Sequence, residues 1–285
     1  MAGNVSLQWD REGVALITVG DGGASNHTVT AATVSFLADV LDEAIGGGAR
    51  AIVLASSVEG HWLEHAYLDD IVQLVSGQAA SGDPAGWFRS LQTLNRGTAV
   101  TIAAINGDTS GGGCELGWAC DLRVAEEQAR FSQPEVIIGA GTGIGGTSRL
   151  MRLIGRTVTG EGVLTGLPLT AKRLYELGGV NRLVGKGEAV AQALDIARHI
   201  ATLPPHSVAG MKKMLGEDED LNQTDGIAND QAISQSLFAN PASVASMKAI
   251  QARFDAGESM DAVYWAGERA GTAIRNRSFA ISQQL

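Results

Sequence analysis

Hydrophobic residues recur along the chain at two spacings, one typical of strands and one typical of helices. Residues 5–9 and 14–19 alternate apolar and polar side chains on either side of a turn-like segment, which predicts a β-hairpin. Thr30 can cap a helix whose apolar positions between residues 34 and 45 recur at helical spacing. Glycines 46–48 end that helix.

Continuous apolar runs at residues 51–55 and 100–105 predict two buried strands further along the chain. The other elements predicted for this part are helices at 84–95 and 111–120, strands at 122–125, near Phe131 and at 136–138, and a helix that begins after residues 141–146 and runs to Leu153. Strands and helices therefore alternate. This order indicates an α/β core.

The pattern changes beyond about residue 187. The remaining segments are amphipathic helices, separated by Pro204-Pro205, by the acidic stretch 217–220 and by Pro241. We expect an all-helical second unit here, because such an appendage commonly covers a sheet edge or joins subunits.

Composition narrows the class of protein. With 285 residues, 45% of them hydrophobic, the chain can bury a full core. Its apolar runs are far shorter than the roughly 20 residues that span a bilayer, and the first residues lack a basic start and an apolar signal core, so we expect a cytoplasmic protein. The net charge of −10 argues against nucleic-acid and membrane-surface binding. Cys114 and Cys120 lie on one predicted helix and point apart, which predicts reduced core thiols.

The segment GTGIGG, residues 141–146, fits the spacing G-x-G-x-x-G of dinucleotide-binding turns. Such a turn needs an acidic residue at the end of a second strand about 20 residues later. Glu161 lies at that distance, but glycines flank it on both sides and leave no strand end. The spacing is thus weak evidence for a dinucleotide, and close packing of a helix on a sheet is the favoured interpretation.

The segment AAINGDTSGGGCELGWACD, residues 103–121, is stronger evidence for a catalytic site than GTGIGG is. Gly111–Gly113 let a ligand approach the backbone, and the amides at a helix start are unpaired donors that suit a developing oxyanion. Glu115 falls in the first turn of the predicted helix, where it can either complement the helix dipole or act chemically. Glu135 follows Pro134 at the start of the predicted strand 136–138. Two such glutamates facing one another can act as base and acid on one water molecule.

Several motifs together resemble the enoyl-CoA hydratase/isomerase (crotonase) family. They are, in order, I-N-G-x-x-S-G-G-G-C-E-L, C-D-L-R-V-A, A-R-F-S-Q-P-E, G-x-G-G-T-x-R-L-x-R-x-I-G-R and L-T-G-x-x-x-x-A, dense between residues 98 and 185. The resemblance implies a crotonase-like α/β spiral of ββα units over residues 1–200. It also implies a C-terminal helical trimerisation region over 201–285, with an extra terminal helix. We expect a homotrimer or hexamer in fatty acid metabolism that acts on an acyl-CoA, with no metal and no separate cofactor, since coenzyme A is part of the substrate.

The resemblance also implies a role for each matching residue. Glu115 would help to activate a water molecule for attack on the β-carbon of the acyl group, and Glu135 would deliver a proton to the α-carbon. The amides of Ala66 and Gly112 would stabilise the enolate oxygen. The residues expected against the substrate are Tyr67, Leu68, Gly111 and Gly143.

Two segments depart from the family pattern. In HWLEHAYLDD, residues 61–70, Glu64 and His65 stand where the family has Ala-Gly, and Tyr67 stands where it has an acid. These side chains either project into the site or face solvent or a subunit interface. In DGGASNHTVT, Gly23 and Ala24 precede Asn26 where many relatives carry a basic residue for the CoA phosphates.

Presence of both glutamates favours hydration of a trans-2-enoyl-CoA to a 3-hydroxyacyl-CoA. An isomerase of the family needs one acid/base group, usually at the position of Glu135. A retro-Claisen or thioester hydrolase would use the same oxyanion site with a positioned water molecule. A non-catalytic assembly protein that keeps the fold is the alternative from another class.

Overall fold

A computed structural model of the protein describes residues 4–20 and 27–265. The chain divides into two compact units, Met1–Ala201 and Thr202–Leu285. The basic position sought before Asn26, and the extra terminal helix expected beyond residue 265, lie outside the described residues.

Two sheets form the frame of the first unit. The strands of the larger sheet, in spatial order, are β1 (Val5–Arg11), β2 (Val14–Val19), β3 (Ala51–Ser56), β5 (Val100–Ile105), β7 (Leu122–Glu126) and β10 (Arg182–Val184). The smaller sheet has β4 (Gly60–His61), β6 (Gly107–Ser110), β8 (Arg130–Ser132) and β9 (Leu169–Thr170). The β1–β2 hairpin is antiparallel, and from β2 to β10 the large sheet is parallel. The predicted α/β class is confirmed.

Helices lie between and after these strands along the chain. They are α1 (Ala31–Gly46), α2 (Leu68–Val75), α3 (Ala85–Arg96), α4 (Gly111–Ala119), α5 (Gly146–Ile154), α6 (Arg156–Thr165), α7 (Ala171–Glu176) and α8 (Ala189–Ile200). The hydroxyl of Thr30 accepts a hydrogen bond from the Thr33 amide at 3.0 Å, so the predicted cap of α1 is correct. One core cluster lies against α1 and α4, and a second lies between the sheet and α8.

The segment 136–138 is not a strand. Pro134–Ile138 form a 3-10 helix that ends at Gly139, whose φ of 72° is left-handed, and Ile137 is 71% exposed. Pro134 fixes a helical φ and offers no ladder amide, and the apolar run that follows is largely exposed. Glu161 lies within helix α6. GTGIGG therefore follows no strand and precedes no second strand with an acidic end, so the dinucleotide interpretation is wrong.

In its described residues, 202–265, the second unit has α9 (Pro205–Asp218), α10 (Gln223–Phe238), α11 (Pro241–Asp255) and a short π-helix (Asp261–Trp265). Asn222 and Asn240 cap α10 and α11 through their side-chain oxygens. The helical tail begins later than its pattern suggested, because α8 belongs to the first unit and packs on its sheet. In the part of the chain that the structure describes, no helix is both long and apolar enough to cross a bilayer.

Candidate active site

The start of helix α4 lies directly against the segment that follows β4. The Gly113 amide donates to the Glu64 carbonyl at 2.9 Å. A Cβ atom at position 113 would lie 1.9 Å from the Leu63 carbonyl oxygen, so no side chain fits there. The glycine run thus permits a backbone-to-backbone contact that fixes the helix start beside residues 63–66.

Two backbone amides come together at this contact. Val29 donates to the His65 carbonyl at 3.0 Å and accepts from the Tyr67 amide at 2.9 Å, so the Ala66 amide faces away from this bridge. It lies beside the helix start, since a Cβ atom at Gly112 would be 3.6 Å from Ala66 N. The amide of Gly112 belongs to the first turn of α4, where amides have no partner within the helix. This pairing of donors suits an oxyanion.

A histidine in this segment does not strain the backbone. Among the described residues every positive φ belongs to a glycine, so His65 adopts an ordinary conformation. Position 65 therefore needs no glycine to orient the amide that follows it. The His65 carbonyl and the Ala66 amide form one peptide group. Its bond from Val29 polarises that group and strengthens its N–H as a donor.

Glu115 is buried and held by the GTGIGG turn. One of its carboxylate oxygens accepts from the amides of Ile144 at 2.9 Å and Gly146 at 2.6 Å, at the start of α5. The expectation that Glu115 lies in the first turn of its own helix is wrong, because it is the fifth residue of α4. It therefore does not complement the α4 dipole. The glycine turn instead serves as an anion-binding helix start whose anion is this carboxylate.

Burial raises the pKa of Glu115, against the hydrogen bonds from Ile144 and Gly146 and the positive charge of Arg149, which lower it. The net direction is upward, so this carboxyl takes up a proton more readily than an exposed glutamate. Arg149 is itself fixed, because its guanidinium donates to the Ile144 carbonyl at 2.7 Å.

Glu135 reaches the same region from the 3-10 helix. A Cβ atom at Gly111 would be 3.4 Å from Glu135 Oε1. With its amide oriented to satisfy donor and acceptor, Gln133 donates to the two carboxylate oxygens of Glu135 at 2.9 and 3.3 Å. Burial raises the pKa of Glu135, the negative charge of Glu115 raises it further, and His65 lowers it. The negative charge of Glu115 thus opposes ionisation of Glu135.

The other residues expected at the substrate have different surroundings. Tyr67 is exposed, and its hydroxyl donates to Asp69 at 2.9 Å. Leu68 is exposed at the start of α2. Gly143 lies in the turn that holds Glu115, with open space around its α-carbon. Glu64, one of the departures from the family pattern, pairs with His61 at 2.6 Å.

Two residues of this region escaped sequence reasoning. A Cβ atom at Gly112 would lie 2.8 Å from the ring of Trp87, which places this indole of α3 beside the amide pair. Gln133 is buried next to Glu135. Gln133 stands within the A-R-F-S-Q-P-E motif, which was a usable signal. Trp87 lies in a predicted helix, and the helical pattern does not show which of its residues contacts the glycines of α4.

Comparisons with known proteins identify the family of the chain. A family model described as enoyl-CoA hydratase/isomerase matches residues 10–255. A probable enoyl-CoA hydratase of Rhizobium meliloti is 31% identical over 198 residues, 70% of this chain and 74% of that protein. A probable mitochondrial enoyl-CoA hydratase of Dictyostelium discoideum is 39% identical over 137 residues, 48% of this chain. That match spans half the length of the Dictyostelium protein.

Solved structures share the fold. An enoyl-CoA hydratase of Bacillus anthracis superposes with a TM-score of 0.77 at 23% identity, over 88% of this chain and 97% of that one. An enoyl-CoA hydratase of Mycobacterium marinum gives 0.73 at 26% identity, over 90% of this chain and 96% of that one. The first of these likenesses concerns the fold alone.

Proposed function

The chain belongs to the enoyl-CoA hydratase/isomerase family, and from this premise we propose that it hydrates a trans-2-enoyl-CoA to a 3-hydroxyacyl-CoA. The observation that carries the proposal is the pair of partly or fully buried glutamates, Glu115 and Glu135, beside the amides of Ala66 and Gly112. The reaction needs no cofactor beyond the coenzyme A of the substrate.

The amide pair acts on the thioester oxygen. When water adds to the β-carbon of the acyl group, the electrons of the double bond move toward the carbonyl and charge develops on its oxygen. Ala66 and Gly112 then bind the enolate oxygen more strongly than the neutral carbonyl, which lowers the barrier. Each such donor contributes on the order of 10² in rate.

The glutamates supply and remove the protons. Glu115, in its ionised form, accepts a proton from water as the oxygen bonds to the β-carbon. Glu135, in its protonated form, gives its proton to the α-carbon, so that one water molecule is added in all. The productive state therefore holds one proton on the pair. Burial raises the pKa of both carboxyl groups, and the negative charge of Glu115 raises that of Glu135, so these effects oppose loss of the last proton.

Hydration is favoured over isomerisation because Glu115 is held in place. An isomerase moves a proton between two carbons and needs a single acid/base group. Here two amides fix one oxygen of Glu115 and leave the other available to a water molecule. A carboxyl group positioned in this way can accept a proton from the attacking water molecule in hydration, whereas isomerisation involves no such water molecule.

Substitution of each glutamate tests the proposal. Glu115→Gln keeps an oxygen that can accept from Ile144 and Gly146 but cannot take up the water proton, and Glu135→Gln cannot donate one. Each change should lower kcat on crotonyl-CoA by about 10²–10⁴, with the thermal transition near that of the parent protein. If the unmodified protein turns over no short, medium or aromatic enoyl-CoA ester, the proposal is wrong.

We further propose that the protein assembles as a homotrimer or hexamer through its second unit. Large apolar side chains of α9 and α10 are exposed there, among them Leu215, Ile227 and Phe238. Apolar surface of this extent on a helical unit is typical of a subunit interface.

A further inference from the structure

An indole ring borders one of the two proposed oxyanion donors. A Cβ atom added to Gly112 would lie 2.8 Å from Cη2 and 3.0 Å from Cζ3 of Trp87, and 3.6 Å from the Ala66 nitrogen. One methyl-sized position beside the helix start is thus close both to the indole and to the second amide of the pair. Trp87 therefore forms part of the wall around the place where a thioester oxygen would bind.

The indole presents an apolar edge to this place. Cη2 and Cζ3 are carbon atoms of the six-membered ring, and they lie on the side away from Nε1, whose N–H is the hydrogen-bond donor of a tryptophan side chain. Trp87 can therefore restrict the size of the group that binds there. It does not stabilise the charge of an enolate oxygen by a hydrogen bond from this edge.

Helix α3 holds the indole in a fixed position. A Cβ atom at Gly86 would lie 2.5 Å from the α-carbon of Ser35, so the start of α3 packs directly on the backbone of α1. Arg89 donates to Asp42 of α1 at 2.7 Å. These two contacts flank Trp87 in the chain, and its half-buried ring packs against the core cluster. A wall fixed in this way can exclude a ligand that is too large.

The position of the ring indicates which part of an acyl group it would contact. The α-carbon of a thioester is bonded to the carbonyl carbon, so it lies close to the amide that binds the carbonyl oxygen. Glu135, the proposed proton donor to the α-carbon, has its Oε1 3.4 Å from a Cβ atom added at Gly111, the residue before Gly112. A substituent on the α-carbon therefore lies near Trp87, whereas the far end of an acyl chain is many bonds away.

We propose that Trp87 makes the protein selective for enoyl-CoA substrates with no substituent on the α-carbon. The edge of its six-membered ring takes up the space that an α-methyl group would need. A pocket of this kind discriminates a single methyl group by about 10- to 200-fold. The inference rests on the proposed hydration of an enoyl-CoA and names the class of acyl group that this site accepts.

Binding of two saturated thioesters tests the proposal without any turnover. Butyryl-CoA and 2-methylbutyryl-CoA differ by one α-methyl group, and isothermal titration calorimetry measures their dissociation constants. The parent protein should bind butyryl-CoA about tenfold more tightly or better. This preference should fall by about tenfold in Trp87→Leu, and by less in Trp87→Phe, which keeps a six-membered ring.

Phe88→Leu is the matched control, because Phe88 is the next residue of α3 and is 65% exposed. It should keep the preference of the parent protein. A change that only loosens the fold weakens the binding of both thioesters alike and leaves their ratio unmoved. An unchanged ratio in Trp87→Leu would overturn the proposal, as would an equal fall in Phe88→Leu or a parent protein that binds the two thioesters equally or binds neither. If Trp87→Leu does not fold, the ratio in Trp87→Phe decides in the same way.

Hydration kinetics supply the second readout. Tiglyl-CoA is crotonyl-CoA with an α-methyl group, and the ratio of kcat/KM between the two should favour crotonyl-CoA in the parent protein and fall by about tenfold in Trp87→Leu. Hydration of crotonyl-CoA with an unmoved ratio would contradict this inference and leave the proposed function standing. If the parent protein hydrates neither ester, the proposed function fails, while the binding ratio still decides whether Trp87 excludes an α-methyl group.

Discussion

Three consecutive glycines at the start of α4 are required for three different reasons. Gly111 has a φ of +49°, a conformation that other residues rarely adopt. Gly112 lies against the ring of Trp87, and Gly113 against the Leu63 carbonyl. The sequence predicted a close approach to this backbone. It could not show that the groups in close contact with these glycines belong mostly to the protein itself, because those groups lie 20 to 50 residues away in the chain.

Gly112→Ala tests how closely the amide pair must be placed. The backbone at position 112 accepts alanine, but the new methyl group would lie 2.8 Å from Trp87, so the ring or the helix start must shift. Because the Gly112 amide moves with that shift, kcat/KM on crotonyl-CoA should fall on the order of 10².

Gly160→Ala is the matched control for that change. Position 160 lies within α6 with nothing close to its α-carbon, so activity should be kept. The measurement is kcat/KM of both variants on crotonyl-CoA by steady-state kinetics. Full activity in Gly112→Ala would mean that the amide of this residue is not an oxyanion donor.

At the scale of elements, periodicity predicted most strands and helices of the first unit. It failed at residues 136–138, where an apolar run was taken for a strand although Pro134 and Gly139 confine it to one helical turn. It also gave no prediction for β4, β6, β9, β10, α6 and α7, which are short or rich in polar residues and glycine and owe their structure to neighbours rather than to a local pattern. The pairing of α5 with Glu115 is likewise a tertiary contact that spacing alone does not reveal.

Arg123 on β7 holds the end of α4, and its loss should destabilise the first unit. Its buried guanidinium donates to the carbonyls of Gly179, Gly117 and Cys120. Burial lowers the pKa of Arg123, which reflects the cost of keeping this charge away from water. Arg123→Met leaves three carbonyl oxygens without this donor and should lower the free energy of unfolding by about 2–4 kcal/mol.

Denaturant unfolding measures this change against Arg130→Met. Arg130 pairs with Asp108 on the exposed side of the small sheet, where an ion pair contributes little. Arg130→Met should therefore lower the free energy of unfolding much less than Arg123→Met does. Equal losses in the two variants would contradict the role given to Arg123.

At the scale of the whole molecule, the family resemblance gave the fold class and the order of the elements, and both are confirmed. For the second unit, the sequence pattern predicted helices but not their contacts. Amphipathic helices show which side chains are apolar but not which surface packs against them. Phe238 at the end of α10 is 62% exposed in the single chain. We propose that Phe238 packs against a partner subunit.

Phe238→Asp should weaken this assembly, because a charge would replace an apolar side chain at the proposed interface. Sedimentation velocity should show a trimer or hexamer for the parent protein and a smaller species for the variant. Ser236→Asp adds the same charge on a different side of α10 and should leave the assembly intact. A parent protein that sediments as a monomer would contradict the proposal.

The central claim is that Glu115 and Glu135 direct one water molecule onto the β-carbon of an enoyl-CoA. The most direct test is to incubate the protein with crotonyl-CoA in H₂¹⁸O and to locate the label by mass spectrometry. The parent protein should form 3-hydroxybutyryl-CoA with ¹⁸O on the β-carbon, and Glu115→Gln and Glu135→Gln should form almost none of it. Label in a free carboxylate, which marks thioester hydrolysis, or no labelled product at all would contradict it.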